Sequence, residues 1–429
     1  MLRLRHNLAQ LPRTLVCATP GMPPQVCRGL YLFWVDGLFI ALSFAFYNAF
    51  LPLFILGFGA SNSQVGLMSG LSSSVGILAY LLATRATAVV GGRKRIVVFV
   101  RVASRFAVVA IALVPLVASG QAAVYLTIGL ICLLVLLENL GSPAWTALVA
   151  DIVPMPIRAR YIASRTTVKA LARTVAVAAA GWLIRSVAFP GGYQASFITG
   201  AVVGLGAALA YSAIPVDSGP EERPSSRGGA GFSFTRPLLL YVAARAVWSL
   251  GYFLAAPFYS VYVVRQLGGD ESTVGMFASV SSVMAVLGLV AFSRLVEKRG
   301  LRSAWLMSGL LESVVPWLWA IAPGVWFGVV PSAVDGLLLA GLELVNLNTM
   351  LMLTPAESRT QFIAVNSAIL GTAAMLGPLI GGGLSDVIGF APVFGLAGVL
   401  SLAGCVLYCA FVTEPVQPSA RLSQAPDSF

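Results

Sequence analysis

Several ionisable residues interrupt stretches that are otherwise apolar, and these are the positions where chemistry could occur. Asp36, Glu138, Arg245, Asp335 and Glu343 each break a hydrophobic run. Lys169 and Arg173 follow Arg165 at i, i+4 and i+8, which sets three cations on one helix face. A charge in hydrocarbon costs roughly 2.5–3.5 kcal/mol or more, so it usually faces a cavity or a partner. Groups so placed bind and release protons or anions as their solvation changes. The competing role for each is a neutralised structural pair.

Residues for other chemistries are scarce. The single histidine, His6, lies near the N-terminus, which speaks against a zinc site or a histidine-based triad. Five cysteines occur without a C-x-x-C pair, and the odd number speaks against a disulfide framework. No G-x-x-x-x-G-K-[ST] run is present, so ATP is not the expected driver. Neither a cofactor nor a metal is expected.

The elements that position these charges follow from composition. The 429 residues are 58% hydrophobic and 10% charged, against roughly 25% charged in soluble domains. Mean hydropathy is +0.89. Such a chain has lipid as its main solvent. Net charge is +11, but the basic residues sit between apolar segments rather than on one face, so no nucleic-acid partner is expected.

Apolar runs of about 20 residues suggest twelve spans, near 30–56, 63–88, 96–118, 122–150, 162–188, 193–215, 237–265, 272–294, 303–322, 325–353, 360–387 and 390–413. Alternate loops hold Arg93, Lys94, Arg95, Arg158, Arg160, Lys298, Arg299 and Arg359, whereas four of the intervening loops hold no Lys or Arg. The positive-inside rule then places both termini in the cytoplasm. Residues 1–28 read as a cytoplasmic segment, 29–215 and 237–413 as two six-helix bundles, 216–236 as a polar linker, and 414–429 as a tail.

An internal repeat supports the two bundles. Ser63-Gln-Val-Gly66 recurs as Ser272-Thr-Val-Gly275, at an offset of 275 − 66 = 209. Gly59 matches Gly268 at the same offset, and Asp36 matches Arg245. Pro154, Arg158 and Tyr161 recur as Pro355, Arg359 and Phe362 at an offset of 201.

Twelve helices in two parallel halves with a polar linker resemble the major facilitator superfamily. That family carries a Gly-(x)n-Asp-Arg-x-Gly-Arg-Arg loop between helices 2 and 3, repeated between helices 8 and 9. Gly275 and Glu297-Lys298-Arg299-Gly300-Leu301-Arg302 resemble the second copy. Gly66 and Gly92-Arg93-Lys94 resemble the first, with Val89 where the acid is expected. The resemblance implies loops that restrain a helix end against its neighbour and hold the halves shut at the cytoplasmic side, with Asp151, Arg158 and Arg359 beside them.

It also implies that helices 1, 4, 7 and 10 line a central cavity, so that Asp36, Glu138, Arg245, Asp335 and Glu343 face it. Arg101, Arg105 and Glu312 would then be peripheral, with Arg101 snorkelling to the interface. At about 1.5 Å per residue, Glu138 and Arg173 lie at a common depth of roughly 18 Å, and Arg245 and Glu343 at roughly 12–15 Å. Two charge pairs are therefore expected.

The function expected is a secondary transporter of a small organic solute, a symporter or antiporter in the cell membrane (the inner membrane of a Gram-negative cell). It would work as a monomer by rocking around a midplane site, with proton coupling through Asp36, Glu138, Asp335 or Glu343. Lys169, Arg173 and Arg245 leave room for an organic anion or zwitterion as substrate. A non-transporting receptor or scaffold and a membrane-embedded enzyme are the rival readings.

Overall fold

A computed structural model describes residues 23–215, 236–353 and 359–411. The linker expected at 216–236 lies outside the described residues apart from Arg236, as do most of the N-terminal segment and the tail. The described residues are helical and form no strand.

Among the described residues eleven segments are long and apolar enough to cross a membrane, and one of them, Glu271–Ala320, is 50 residues long. It is broken at Gly300, where φ 78° and ψ 169° are not helical. Counting its two parts separately gives twelve spans, in agreement with the sequence reading. In chain order they are α1 (Pro24–Leu56), α2 (Asn62–Val90), α3 (Arg93–Val117), α4 (Gly120–Val149), α5 (Met155–Ser186) and α6 (Gly191–Ser212). The second half comprises α7 (Leu239–Arg265), α8 (271–299), α9 (301–320), α10 (Val329–Leu353), α11 (Arg359–Ile388) and α12 (Phe390–Phe411). A one-turn 3-10 segment at Asn48–Phe50 interrupts α1, and a second at Ala256–Phe258 interrupts α7.

The repeat governs how helices begin and end. Ser61 opens α2 with a capping box to Gln64, and Asp270, 209 residues later, caps α8 by accepting from Thr273. Gly91 closes α2 at φ 83°, and Gly300 closes α8 at φ 78°. An L side chain is strained in this left-handed region, which glycine enters freely.

Within the first half α1 packs on α5 and α6, and α3 packs on α4 and α6. Within the second, α7 packs on α11 and α12, and α8 on α10. The halves meet where α2 crosses α11 and where α5 crosses α8. The repeated glycines sit at these crossings. A Cβ on Gly66 would lie 2.2 Å from the Pro378 carbonyl oxygen, and one on Gly275 would lie 2.8 Å from that of Val177. Gly382 of α11 likewise faces the Asn62 carbonyl, at 2.6 Å from its would-be Cβ. The glycine-rich stretch of α11 thus serves close helix packing.

Candidate functional site

Cross-half polar contacts gather at the end away from the basic loops. The Asp386 carboxylate of α11 accepts from the backbone N–H groups of Asn62 (3.0 Å) and Ser63 (2.8 Å), and from the Ser63 hydroxyl. These donors belong to the α2 N-terminus, where a carboxylate is favoured. Arg265 donates to the Asn62 side chain and the Ala60 carbonyl. Tyr193 donates to Glu271 at 2.7 Å, and Arg185 pairs with Asp270 at 3.0 Å. Burial raises the Asp270 carboxyl, but bonds from the Thr273 amide and hydroxyl and the charge of Arg185 outweigh it, leaving it below the usual range.

The basic loops bond differently from the expectation. Lys94 donates to the Ile214 carbonyl (2.7 Å), Arg158 to that of Val153 (2.9 Å) and Arg302 to that of Cys409 (2.9 Å). Arg93 lies 3.6 Å from Asp151. Each of these bonds ties a helix end to a neighbour within its own half. They restrain helix ends, as anticipated, but the latch between halves described here is at the opposite end. Glu297 is exposed near the break at Gly300, and the Arg359 side chain lies outside the described residues.

Inside the first half, Asp36 is fully buried between two guanidinium groups. Arg101 grips both of its oxygens, and Arg165 donates to it at 3.1 Å and to the Phe33 carbonyl at 3.1 Å. Arg165 stacks over the Phe33 ring at 4.1 Å and Arg101 over Tyr211 at 4.5 Å. Gly37 leaves the space that Arg165 fills, since a Cβ there would lie 2.5 Å from its Nε.

Two sequence expectations are corrected here. Glu138 does not pair with Arg173. It lies 3.2 Å from Arg105 and accepts from the Tyr47 hydroxyl at 2.9 Å. Matching depth along two helices says nothing about which faces meet, and α3 presents Arg105 where α5 does not present Arg173. Nor does Arg101 snorkel to an interface; it is buried against Asp36. Arg101 and Arg105 are one helical turn apart on α3, an i, i+4 spacing whose signal was the depth they share with Asp36 and Glu138.

A cavity of about 220 Å³ opens beside these pairs, among α1, α3, α4 and α5. Arg101, Arg105, Glu138, Arg165 and Lys169 contribute its polar wall, and Phe44 and Trp145 are part of its apolar one.

The second half differs. Asp335 of α10 lines a cavity with Ser281 of α8, and Glu312 of α9 is close enough to act on it electrostatically. Glu312 is buried, with 3% exposure. No described cation acts on either carboxyl group. That cavity, of about 220 Å³, is also lined by Tyr259, Trp319 and Ser332. The sequence places Glu312 on a peripheral helix, and nothing in its local pattern marks its nearness to Asp335. Arg245 and Glu343 approach to 3.8 Å, with the Glu343 side chain 65% exposed.

The fold and its buried charges define a class, the polytopic helical membrane proteins. A family model described as Major Facilitator Superfamily matches residues 34–256 and 241–428. The chain belongs to that superfamily. Over 188 residues it is 28% identical to the multidrug resistance protein MdtG of Dickeya zeae (strain Ech586). The match spans 42% of this chain and 45% of that relative's length.

Among solved structures, the chain is similar to an inward-facing bacterial homologue of the iron transporter ferroportin. The TM-score is 0.72 at 15% identity, covering 89% of this chain and 98% of that one. It is also similar to the xylose transporter XylE of E. coli in an inward-open conformation, at TM-score 0.67 and 14% identity, covering 90% and 96%. At these identities the likeness shows a common fold.

Proposed function

We propose that this chain is a proton-coupled secondary transporter that moves a small organic solute by alternating access. The observation that carries the reading is the placement of buried Glu312 beside the cavity-lining Asp335, with no described cation acting on either. A pair of this kind changes its proton occupancy when its access to water changes, which is what coupling requires. Asp36 and Glu138 serve less well, because each is already neutralised by arginine.

With the basic loops in the cytoplasm, the Asp386 latch closes the outer side and this conformer faces inward. Rocking then breaks the latch and brings the basic loops together. The two ring-lined cavities would lie on the path of the solute.

The test uses protein reconstituted in liposomes with an imposed pH gradient and a panel of labelled metabolites. Proton-driven flux should be lost in Glu312→Gln and Asp335→Asn, while exchange of solute for solute at equal pH persists. Flux that follows the gradient equally well in both variants would overturn the coupling site. Flux indifferent to the gradient in the unmodified protein would overturn proton coupling.

A further inference from the structure

The cavity among α1, α3, α4 and α5 carries unbalanced positive charge. Arg101, Arg105, Arg165 and Lys169 stand against Asp36 and Glu138, four cations to two carboxylates, which leaves 4 − 2 = +2. Both carboxylates are taken by arginine: Asp36 by Arg101 and Arg165, Glu138 by Arg105. The arginine donors are further occupied by the Phe33 carbonyl, Ser43 and Tyr47. Lys169 differs. Among the described residues it has no hydrogen bond or ion pair, and its electrostatic neighbours are mostly cations, namely Arg165, Arg101 and Arg173. An anion beside Lys169 would favour its charged form against those cations.

The rest of the wall is apolar and aromatic. Phe44 and Trp145 face the same space, and the guanidinium groups are fixed in place by stacking, Arg105 at 5.7 Å over Phe44 and Arg165 at 5.7 Å over Trp145. A bare inorganic anion would satisfy Lys169 and leave that wall unused. A cavity of about 220 Å³ is smaller than the roughly 300–1,000 Å³ of drug-sized sites. It suits a one-ring or short-chain acid, or the head of a larger one.

We infer that this cavity binds a small organic anion, its carboxylate on Lys169 Nζ and its apolar body against Phe44 and Trp145. The inference names the substrate class of the proposed transporter and rests on that reading. Lys169 is the anchoring residue, since each of the three arginines is held by a carboxylate and Lys169 has none within ion-pair distance among the described residues.

Equilibrium dialysis on full-length protein in nanodiscs tests this, with labelled benzoate and hexanoate as probes and benzylamine and sodium chloride as competitors. Saturable binding of at least one carboxylate is expected, undisturbed by benzylamine and by chloride at equal concentration. Lys169→Gln should weaken it by about tenfold or more, the loss of one charge-assisted contact. Lys169→Arg should stay within about threefold of the unmodified protein, since the charge is kept. An unchanged size-exclusion profile and melting temperature show that the variants are folded.

Three results overturn the inference: no saturable binding of either acid, displacement by chloride as effective as by the acid itself, or binding indifferent to Lys169→Gln. Dialysis needs no proton gradient, so carboxylate binding that persists where gradient-driven flux is absent would count against the coupling reading alone.

Discussion

Replacing Gly66 by alanine perturbs the crossing of α2 with α11. The new methyl carbon would stand 2.2 Å from the Pro378 carbonyl oxygen and 3.3 Å from the Gly382 Cα. Both obstacles are helix backbone, so neither can rotate aside, and the two helices must part by about an ångström to restore contact. The repeat-related change, Gly275→Ala, meets the Val177 carbonyl at 2.8 Å and demands less. Overpacking of this kind costs about 1–3 kcal/mol. The cost falls only on the state in which these crossings are closed, so it shifts the two-state population by a factor of about 5 to 150.

Spin labels report the shift in a chain freed of its native cysteines. One pair, at Ser119 and Val387, spans the latch end, and another, at Val89 and Lys298, spans the basic end. Gly66→Ala should lengthen the first distance and shorten the second, with Gly275→Ala intermediate. Unchanged distance distributions for Gly66→Ala would refute the reasoning, and so would a larger effect from Gly275→Ala.

Other perturbations follow from the same geometry. Arg105→Gln leaves the half-buried Glu138 without its cation and should cost about 1–3 kcal/mol in stability, with partial recovery in the double variant with Glu138→Gln. Arg173→Gln should show no coupling to Glu138→Gln in the same thermal-unfolding cycle. Asp386→Asn keeps an acceptor but removes its charge from the α2 N-terminus, a loss of about 0.3–1 kcal/mol. It should lengthen the Ser119–Val387 distance by less than Gly66→Ala does. Asp270 is held below its ordinary carboxylate value of roughly 3.9. Its contribution is therefore fully present above that value and fades as pH falls through the lower folded one; Asp270→Asn should flatten that acid limb of the melting curve.

Sequence by itself determined the number of spans, their alternation of basic and neutral loops, and the two-fold repeat. These are one-dimensional properties: span length is set by bilayer thickness, and a repeat is an offset along the chain. The repeat even located Gly66 and Gly275, though as parts of loop motifs; that they are the contact points between halves required the crossings to be seen. The basic loops were legible as helix-end restraints, because their nearest carbonyls belong to adjacent helices of the same half.

Which charges meet was decided only in three dimensions. Asp36 and Glu138 were recognisable as buried acids, yet their partners came from α3, a helix whose arginines had been assigned to the periphery. Depth along a helix is linear in residue number, but the direction a side chain points depends on the rotation of each helix against its neighbours, and that is set by packing across the whole bundle. Glu312 and Asp335 are 23 residues apart, since 335 − 312 = 23, on antiparallel spans, so their meeting depends on the loop between α9 and α10 and on the rotation of both helices. The sequence could say that this chain keeps charges in the membrane. Only the tertiary structure could separate those neutralised by arginine from the acids with no described cation beside them.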